Sequence, residues 1–105
     1  MATRFELVYA PQVVRHLRQV ERKYHGLIRR AIERQLRLEP DVETRNRKPL
    51  ERPSSAFGTW ELRLGPQNRF RVFYDVSTEN LEVQILAIGE KRRDRLWIGG
   101  EEIEL

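Results

Sequence analysis

The chain has 105 residues, 39% of them hydrophobic and 34% charged, which suits one domain with a single modest core. No apolar run approaches the roughly 20 residues of a membrane span, and the opening MATRFELVYA lacks the apolar region of a signal peptide. The absence of cysteine excludes disulfides and thiolate metal sites, and two isolated histidines are too few for a zinc site. We therefore expect one cytoplasmic domain over residues 1–105, without metal, cofactor or membrane partner.

The net charge of the chain is modest, but its basic residues are nearly all arginine. A net charge of +4 arises from 17 arginines and 3 lysines against 16 acidic residues. A guanidinium binds phosphate with two parallel hydrogen bonds and stacks on bases, whereas an ammonium is a point charge. This bias favours a nucleic-acid partner. Codon usage in a GC-rich genome would produce the same bias, so the positions of the arginines have to separate the two explanations.

The first half of the chain predicts a strand followed by two helices. The residues FELVYA alternate as in a short strand. Apolar residues then recur at helical spacing, in a stripe formed by Val13, Leu17, Val20 and Tyr24. The pair His25-Gly26 is expected to break this helix and to form the turn to a second one, LIRRAIERQLRLEP, which Pro40 closes.

The second half predicts an antiparallel sheet. Residues 39–57, which include RNRKPLERPSS, show no periodicity and are predicted to form a loop. Three alternating runs follow, TWELRL, RFRVFYDV and EVQILAI, joined by the turn sequences GPQN and STEN. The basic segment that comes next is expected to form one or two helical turns. The predicted fold class is α+β, with the order β-α-α-β-β-β: the N-terminal strand and a helical hairpin pack on one face of a twisted, mainly antiparallel sheet.

Alternation along the strands separates the two faces of this sheet. One face gathers apolar side chains that would pack under the helices: Trp60, Leu62, Leu64, Phe70, Val72, Tyr74 and Val76. The other gathers charged side chains around one aromatic: Glu61, Arg63, Arg69, Arg71 and Phe73. Two helices cover only one face, so we expect these arginines to face solvent as a cationic surface. An ordinary charged outer face, with a cross-strand pair of Glu61 and Arg71, is the alternative.

Basic runs flank the predicted sheet in sequence. Their members are Arg45, Arg47 and Lys48 in the predicted loop and Lys91, Arg92, Arg93 and Arg95 near the C-terminus. Basic loops around a basic face with aromatic residues are typical of a phosphate-binding footprint. Taken singly, each run also fits a solvated loop.

The ordered set W-E-L-R, R-F-R-V-F-Y-D-V and V-Q-I-L-A-I-G-E-K-R-R-D-R-L-W resembles the RelE/ParE toxin superfamily of bacterial toxin–antitoxin systems. The opening strand, the helical hairpin and the size extend the resemblance over nearly the whole chain. In the RelE branch, which we favour, the toxin cleaves mRNA in the ribosomal A site without a metal, by attack of the ribose 2′-hydroxyl on the adjacent phosphate. The ParE branch shares the fold and inhibits DNA gyrase. The resemblance therefore implies an endoribonuclease that inhibits translation.

The resemblance also assigns roles to individual residues. Arg71 matches the strand arginine that stabilises the charge developing on the phosphate, a role suited to a preorganised guanidinium. Lys91 falls near a second basic residue of the RelE pattern and is the candidate proton donor. Glu61 or Glu51 is the candidate general base. The further residues expected to bind RNA are Arg63, Arg69, Arg45, Arg47, Lys48, Arg92, Arg93 and Trp97, the last in place of a base-stacking tyrosine. Packing of the C-terminal segment onto the sheet is the alternative role of Trp97.

Two departures from the RelE pattern keep other functions open. Thr59 and Glu61 stand where RelE has lysines, and no histidine follows His25. A ParE-type gyrase inhibitor, or an inactive homologue that acts in repression with its antitoxin, would need neither group. A cognate antitoxin is the implied partner in every case, joined by mRNA and the ribosome for RelE or by gyrase for ParE. The acidic tail GGEEIEL is either a frayed end or a segment that folds back on the arginines.

Overall fold

The computed structural model describes residues 3–104 as an α+β fold with one seven-stranded sheet and two α-helices. The first half contains β1 (Glu6–Tyr9), α1 (Val13–Arg18) and α2 (His25–Leu36). The second half contains β2 (Arg47–Ser54), β3 (Gly58–Leu64), β4 (Phe70–Ser77), β5 (Glu82–Arg92), β6 (Arg95–Ile98) and β7 (Glu101–Ile103). Residues 1, 2 and 105 of the predicted domain lie outside the described residues. Neither helix in that range is long and apolar enough to cross a membrane.

The strands run in the order β2-β3-β4-β5-β6-β7, with each neighbouring pair antiparallel. β1 pairs in parallel with residues 82–85 of β5, and β6 pairs with residues 89–92 of the same strand. The predicted α+β class and the mainly antiparallel sheet are confirmed. The described part of the chain has three strands more than the sequence predicts, namely β2, β6 and β7.

Side chains of the first helix complete the sheet where strands do not. Residues 86–88 of β5 have no strand neighbour in the described chain on the edge that β1 and β6 share. Gln12 Nε2 donates to the carbonyl of Leu86 over 3.2 Å, and the Ile88 N–H donates to His16 Nδ1 over 3.2 Å. Backbone polar groups left unpaired in the interior are costly. Two side chains four residues apart at the start of α1 therefore act in place of a short strand.

Apolar residues of the helices and of one sheet face form a common core, as the sequence predicts. Its buried members include Val13, Val20, Ile28, Ile32 and Leu36 from the helical segment and Leu62, Phe70, Val72, Tyr74, Val83, Ile85 and Ile88 from the sheet. Each such side chain contributes roughly 1.5–3 kcal/mol on burial. The Tyr74 hydroxyl donates to the carbonyl of Pro40 over 2.7 Å, which satisfies its polar group and attaches the segment after α2. Burial raises the pKa of this phenol.

The opposite face of the sheet is partly covered, contrary to the prediction that it stays open. Ile98 of β6 packs with Phe73 and Ala87 in a second, smaller apolar cluster. Partly buried residues surround it, namely Leu50, Phe57, Leu96 and Ile103. Gly89 permits this approach, because a Cβ there would lie 2.9 Å from Ile98 Cγ1 and 3.0 Å from the Trp97 carbonyl. Phe73 is therefore a core residue and not an exposed aromatic.

The C-terminal basic segment is a β-hairpin, so the predicted helical turns are wrong. Arg93 and Asp94 both have positive φ, and so do Gly99 and Gly100. Two consecutive residues of positive φ are typical of the tight turns whose twist matches that of antiparallel strands. The dipeptide Gly-Gly between the runs LWI and EEI is the sequence signal that indicates such a hairpin. The acidic tail is consequently an ordered strand through Ile103.

The predicted loop over residues 39–57 is also wrong in its second half, which forms β2. This strand lies at the edge of the sheet and pairs Arg47 with Leu62 and Lys48 with Glu61. Its prolines conceal it, because proline cannot donate a ladder hydrogen bond and breaks the expected alternation. An edge strand tolerates proline, since one side of its backbone faces away from the sheet.

The break between the helices occurs earlier than predicted. α1 ends at Arg18, and a 3₁₀ turn over Arg22–Tyr24 leads directly into α2, which begins at His25. The His25 ring hydrogen-bonds through Nε2 to the carbonyl of Val20 over 2.8 Å. This bond satisfies a carbonyl that the helix break leaves without a helical partner. The histidine therefore stabilises the break from within the second helix.

His16 gives the fold a pH dependence. Its Nδ1 has to be unprotonated to accept the Ile88 N–H, and its ring is buried beneath Gly99. Burial, and then the charge of Arg15, lowers the pKa of this histidine. The unfolded state therefore binds more protons than the folded state near pH 6. The contribution of neutral His16 to the free energy of unfolding should be complete above about pH 6.5. The free energy of unfolding should fall as the pH decreases from there.

Chemical unfolding followed between about pH 7.5 and pH 5 tests this expectation. The control is His16→Asn, whose Oδ1 can accept the same hydrogen bond but does not titrate. The wild-type chain should lose stability more steeply with acidification than the variant, because all carboxylates are common to both. Equal slopes would contradict a role for His16 in the pH dependence.

Candidate functional site

A buried carboxylate with two arginine partners lies on the charged face of the sheet. Glu61 in β3 is buried, with 9% of its side chain exposed. Its Oε1 accepts a hydrogen bond from Arg71 Nη1 over 2.5 Å and from Arg63 Nε over 3.1 Å. The cross-strand Glu61–Arg71 pair, left as an alternative by the sequence, is present.

Strand register explains why these three residues meet. Arg63 of β3 is directly opposite Arg71 of β4, and Glu61 is directly opposite Phe73. Like charges in directly opposed positions destabilise a sheet. The carboxylate of Glu61 lies diagonally between the two guanidinium groups and compensates their repulsion. The three side chains therefore form one unit, which we call the Glu61 cluster.

Only part of the Glu61 cluster reaches solvent, so the expectation of solvent-facing arginines needs correction. The Arg71 side chain is 13% exposed, and its Nε donates to the Asn68 carbonyl over 3.1 Å. Arg63 is more accessible, with 39% of its side chain exposed. Both hydrogen bonds to Glu61 use Oε1, and no buried side-chain oxygen in residues 3–104 lacks a partner. Oε2 of Glu61 is therefore the oxygen that reaches the surface.

Three adjoining cavities open around the Glu61 cluster. The central one has a volume of about 750 Å³ and contains Glu61, Arg71 and Lys91 in its lining. A second, of about 500 Å³, shares Glu61 and extends past Arg63 to Lys48. A third, of about 400 Å³, shares Arg71 and Lys91 with the central cavity. Because the cavities share lining residues, they adjoin one another across the sheet, and we call the three together the groove.

The charge of the groove is uneven, so a uniformly cationic surface is not what the chain presents. The third cavity is the most cationic, with Arg69, Arg71, Lys91 and Arg93 against Asp94. Acidic residues outnumber basic ones around the central cavity, where the members are Glu61, Asp94, Glu102 and Glu104 against Arg71, Lys91 and Arg95. One of the two alternatives for the acidic tail in the sequence analysis is that it folds back on the arginines. The carboxylates of Glu102 in β7 and of Glu104 beside it do line the central cavity.

Two of the expected RNA ligands bind a second buried carboxylate, Glu90, although one of them, Arg69, also contributes to the lining of the third cavity. Arg69 Nε donates to Glu90 Oε2 over 2.5 Å, and Arg92 Nη2 donates to Glu90 Oε1 over 3.1 Å. The Arg69 guanidinium also lies 5.1 Å from the ring centre of Tyr24, on the helix side of the sheet. The hydrogen bond with Glu90 raises the pKa of Arg69. Arg69 departs from strand alternation because its backbone is helical, with φ −62° and ψ −33°.

Trp97 is also turned away from the Glu61 cluster. It lies opposite Glu90 in the β5–β6 ladder, whereas its neighbours Leu96 and Ile98 pack in the second apolar cluster. Because side chains alternate along a strand, Trp97 shares the face of Glu90. The tryptophan is therefore misplaced for stacking on a base held above Arg71.

The basic run before β3 divides into one buried and two accessible residues. Arg47 is buried, and its guanidinium donates to the carbonyls of Val42 (3.1 Å) and Gln35 (2.6 Å). This geometry contradicts the expectation that Arg47 contacts RNA. Arg45 is exposed, and Lys48 contributes to the groove while its Nζ lies 3.4 Å from the Glu43 carboxylate.

Two of the basic residues near the C-terminus lie in the groove, where the sequence analysis expects them. Lys91 is exposed and lines both the central and the third cavity. Arg93, at the tip of the β5–β6 turn, lines the third cavity. Glu51, the second candidate base, lines the cavity that contains Lys48, away from Arg71. The sequence analysis did not assign Arg52, Asp94, Glu102 or Glu104 to the site, and recognising β2 and the C-terminal hairpin would have placed them there.

Comparison with known proteins does not place the chain in a family. No protein-family model matches it, and no curated protein matches it either. The chemistry of the groove is therefore the basis for inferring what the chain does.

Proposed function

We propose that the chain is a RelE-type toxin of the RelE/ParE superfamily, an endoribonuclease that cleaves mRNA on the ribosome and thereby inhibits translation. The observation that carries the proposal is the contact of Glu61 with Arg71 inside the groove. A carboxylate beside a guanidinium provides a proton acceptor and a phosphate ligand within one hydrogen bond of each other. The chain order of one strand, two helices and an antiparallel sheet supports the RelE-like topology.

The first step of the proposed reaction is deprotonation of the nucleophile. Oε2 of Glu61 accepts the proton of a ribose 2′-hydroxyl while Oε1 stays bound to Arg71 and Arg63. The freed 2′-oxygen then attacks the adjacent phosphorus. Arginine is unsuited to this step because it does not deprotonate in proteins, so Glu61 is the base and the arginines orient it.

The second step is departure of the 5′-oxygen. Arg71 binds the phosphoryl oxygens as negative charge builds up on the pentavalent phosphate, and a preorganised donor of this kind contributes roughly 10²–10³-fold to the rate. The P–O5′ bond breaks, and the leaving oxygen takes a proton from Lys91, which lines the same cavity as Glu61. The products are a 2′,3′-cyclic phosphate and a 5′-hydroxyl, so atoms and charge balance without a co-reactant.

The groove also suits an extended strand of RNA on either side of the reacting phosphate. Lys48 and Arg63 line the cavity on one side of Glu61, and Lys91 and Arg93 line the cavity on the side of Arg71. Contacts to successive phosphates position a strand without reading its bases. We therefore assign Lys48, Arg63 and Arg93 to phosphate binding and Glu61, Arg71 and Lys91 to catalysis.

The proposal includes a cognate antitoxin and action in the cytoplasm. A segment of the antitoxin that covers the groove would block access of RNA to Glu61. Because the cationic third cavity is the most electropositive part of the groove, an acidic segment would fit there. Such charge complementarity would raise the association rate and the specificity more than the affinity.

Inhibition of gyrase, or repression by an inactive homologue with its antitoxin, is the second candidate. Acidic side chains outnumber basic ones around the central cavity. Both histidines are engaged elsewhere, His16 with Ile88 and His25 with Val20. A binding protein needs no proton donor beside Glu61, whereas the ribonuclease relies on Lys91 alone for that role.

Cleavage of mRNA by the purified chain, with and without programmed ribosomes, tests the proposal. We expect ribosome-dependent cuts, and we expect Glu61→Gln to lower the cleavage rate by about 10²–10⁴-fold, because the amide keeps the volume but accepts no proton. Mapping of the cut ends should find a 2′,3′-cyclic phosphate.

The matched control is Glu51→Gln, which removes the same charge from the neighbouring cavity. Its cleavage rate should stay within about threefold of wild type, as for a surface carboxylate without a chemical role. Absence of cuts by a folded wild-type chain would overturn the ribonuclease, and inhibition of DNA supercoiling by gyrase would then establish the second candidate.

A further inference from the structure

The positive charge of the chain is concentrated away from the groove. Residues 13–37, which span the two helices, hold eight of the 20 Lys and Arg residues and two of the 16 acidic residues, a net charge of +6. The rest of the chain holds twelve basic and fourteen acidic residues, a net charge of −2. The proposed function uses the groove, so it leaves the most basic part of the chain without a role.

Most of the seven arginines of this helical segment are exposed and have no internal partner. Six of them form no ion pair and no side-chain hydrogen bond with any residue from 3 to 104: Arg15, Arg18, Arg22, Arg29, Arg30 and Arg34. One of the two acids, Glu21, is engaged by Arg69 and Lys23, both at 3.8 Å. No carboxylate of the described chain therefore neutralises these six guanidinium groups at contact distance.

Four of these arginines, Arg15 and Arg18 of α1 and Arg30 and Arg34 of α2, lie on the sides of the helices away from the sheet. Ile28, Ile32 and Leu36 bury one side of α2 in the common core, and Arg30 and Arg34 lie on the opposite side at helical spacing. α1 packs on the same side of the sheet through Val13 and His16, which leaves its own arginines outward. We call the outer side of the two helices the helical basic face. It is separated from the groove by the thickness of the core and the sheet.

Local helix stability does not explain this arrangement. Neither helix has an acidic residue in its first turn or a side-chain N-cap, and Arg22 and Lys23 precede the N-terminus of α2, where positive charge opposes the helix dipole. Arg30 and Arg34 are a like-charge pair four residues apart, which costs about 0.2–0.5 kcal/mol. A departure from local stability rules without internal compensation is expected where a residue serves function.

The chemistry of the helical basic face favours a base-paired nucleic acid over an unpaired one. Guanidinium groups on rigid helices match phosphate oxygens. Unpaired bases need aromatic surfaces on which to stack, and the aromatic of this segment, Tyr24, is half-buried with Lys23 and Arg69 each 5.1 Å from its ring centre. α2 alone is about 18 Å long, so arginines along it can contact several phosphates of a duplex.

We propose that the helical basic face binds the phosphate backbone of double-stranded RNA, as a second nucleic-acid site independent of the groove. The choice of RNA over DNA rests on the proposed function, since a chain that holds single-stranded RNA on one side would meet base-paired RNA on the other. Recognition is of shape and charge, through phosphates and 2′-hydroxyls, and carries no sequence preference. The same chain thus contacts one RNA assembly at two points.

Binding of a labelled RNA duplex of about 20 base pairs, followed by fluorescence anisotropy from about 50 to 200 mM salt, tests the proposal. The helix variant is Arg18→Gln, Arg30→Gln and Arg34→Gln together. We expect it to bind the duplex at least about tenfold more weakly and to lower the slope of log affinity against log salt by about two, because three phosphate contacts are lost. Arg→Lys at the same three positions keeps the charge and should keep most of the slope.

The matched control removes the same charge from the groove, through Lys48→Gln, Arg63→Gln and Lys91→Gln together. It should bind the duplex within about twofold of wild type, as distant surface changes do. Equal losses in both triple variants, or no binding of the duplex by wild type at low salt, would overturn the second site. Tighter binding of a DNA duplex or of polyglutamate than of the RNA duplex would overturn its assignment to RNA. Duplex binding needs no cleavage, so it remains measurable in Glu61→Gln and fails separately from the ribonuclease.

Discussion

Replacement of Arg71 with alanine is expected to lower the rate of RNA cleavage by about 10²–10³-fold, because the variant loses the donor that we propose binds the phosphate in the transition state. It should also lower the free energy of unfolding by about 2 kcal/mol, since Glu61 is buried and would keep only its longer hydrogen bond, from Arg63. Single-turnover cleavage and denaturant unfolding of the same preparation measure the two effects.

Two further variants separate the chemical role of Arg71 from its structural one. The double variant Arg71→Leu, Glu61→Leu removes both charges together. Its free energy of unfolding should therefore recover toward that of wild type, while its cleavage activity should remain absent. Arg63→Ala removes the more exposed partner and should lower the stability by less than about 1 kcal/mol. A folded Arg71→Ala chain that cuts RNA at the wild-type rate would contradict both the mechanism and the assignment of the groove.

Replacement of Arg47 with alanine is expected to destabilise the chain by about 3 kcal/mol while leaving RNA affinity unchanged. The guanidinium donates to the carbonyl of Gln35, one of the orphan carbonyls at the end of α2, and to the carbonyl of Val42. Loss of the guanidinium group would leave both carbonyl oxygens unpaired beside the cavity that the shorter side chain creates. For a chain of this size the change should lower the melting temperature by roughly 15 °C, which calorimetry would detect.

The neighbouring Arg45 supplies the control, because its side chain is exposed, whereas that of Arg47 is buried and hydrogen-bonded. Arg45→Ala should alter the free energy of unfolding by no more than about 0.5 kcal/mol. RNA binding measured well below the melting temperature distinguishes the two roles of Arg47. A stable Arg47→Ala variant with weakened RNA binding would restore the expectation drawn from the sequence and refute the structural role.

The faces of β3 and β4 are the part of the site that alternation predicts well. Period-two spacing correctly separates Leu62 and Val72 in the core from Glu61, Arg63 and Arg71 on the other side. Alternation succeeds here because both strands are regular over this stretch. It fails at Arg69, where a helical backbone precedes β4, and along β5, where the extra residue Leu86 reverses the faces.

Burial of charge is the part that sequence patterns do not report. Glu61, Glu90 and Arg47 are buried because each finds partners from distant positions in the chain: Arg71, Arg69 and Gln35 respectively. A local window contains none of these partners, so each residue resembles a solvated charge. The covering of Phe73 has the same origin, because it depends on a hairpin more than twenty residues later.

The edge of β5 that β1 and β6 share bears on how the proposed RNA substrate would enter the groove. No ladder in residues 3–104 joins β1 to β6, and the first helix fills the interval between them through Gln12 and His16. The C-terminal hairpin, which forms a wall of the groove, therefore attaches to the sheet along four residue pairs of β5 and a small apolar cluster, and to the first helix where Gly99 covers His16. Such a unit opens at a lower free energy than the whole fold, so its amide hydrogens exchange by local opening. The groove can thus widen for a polymer while the main core and the helical basic face stay intact.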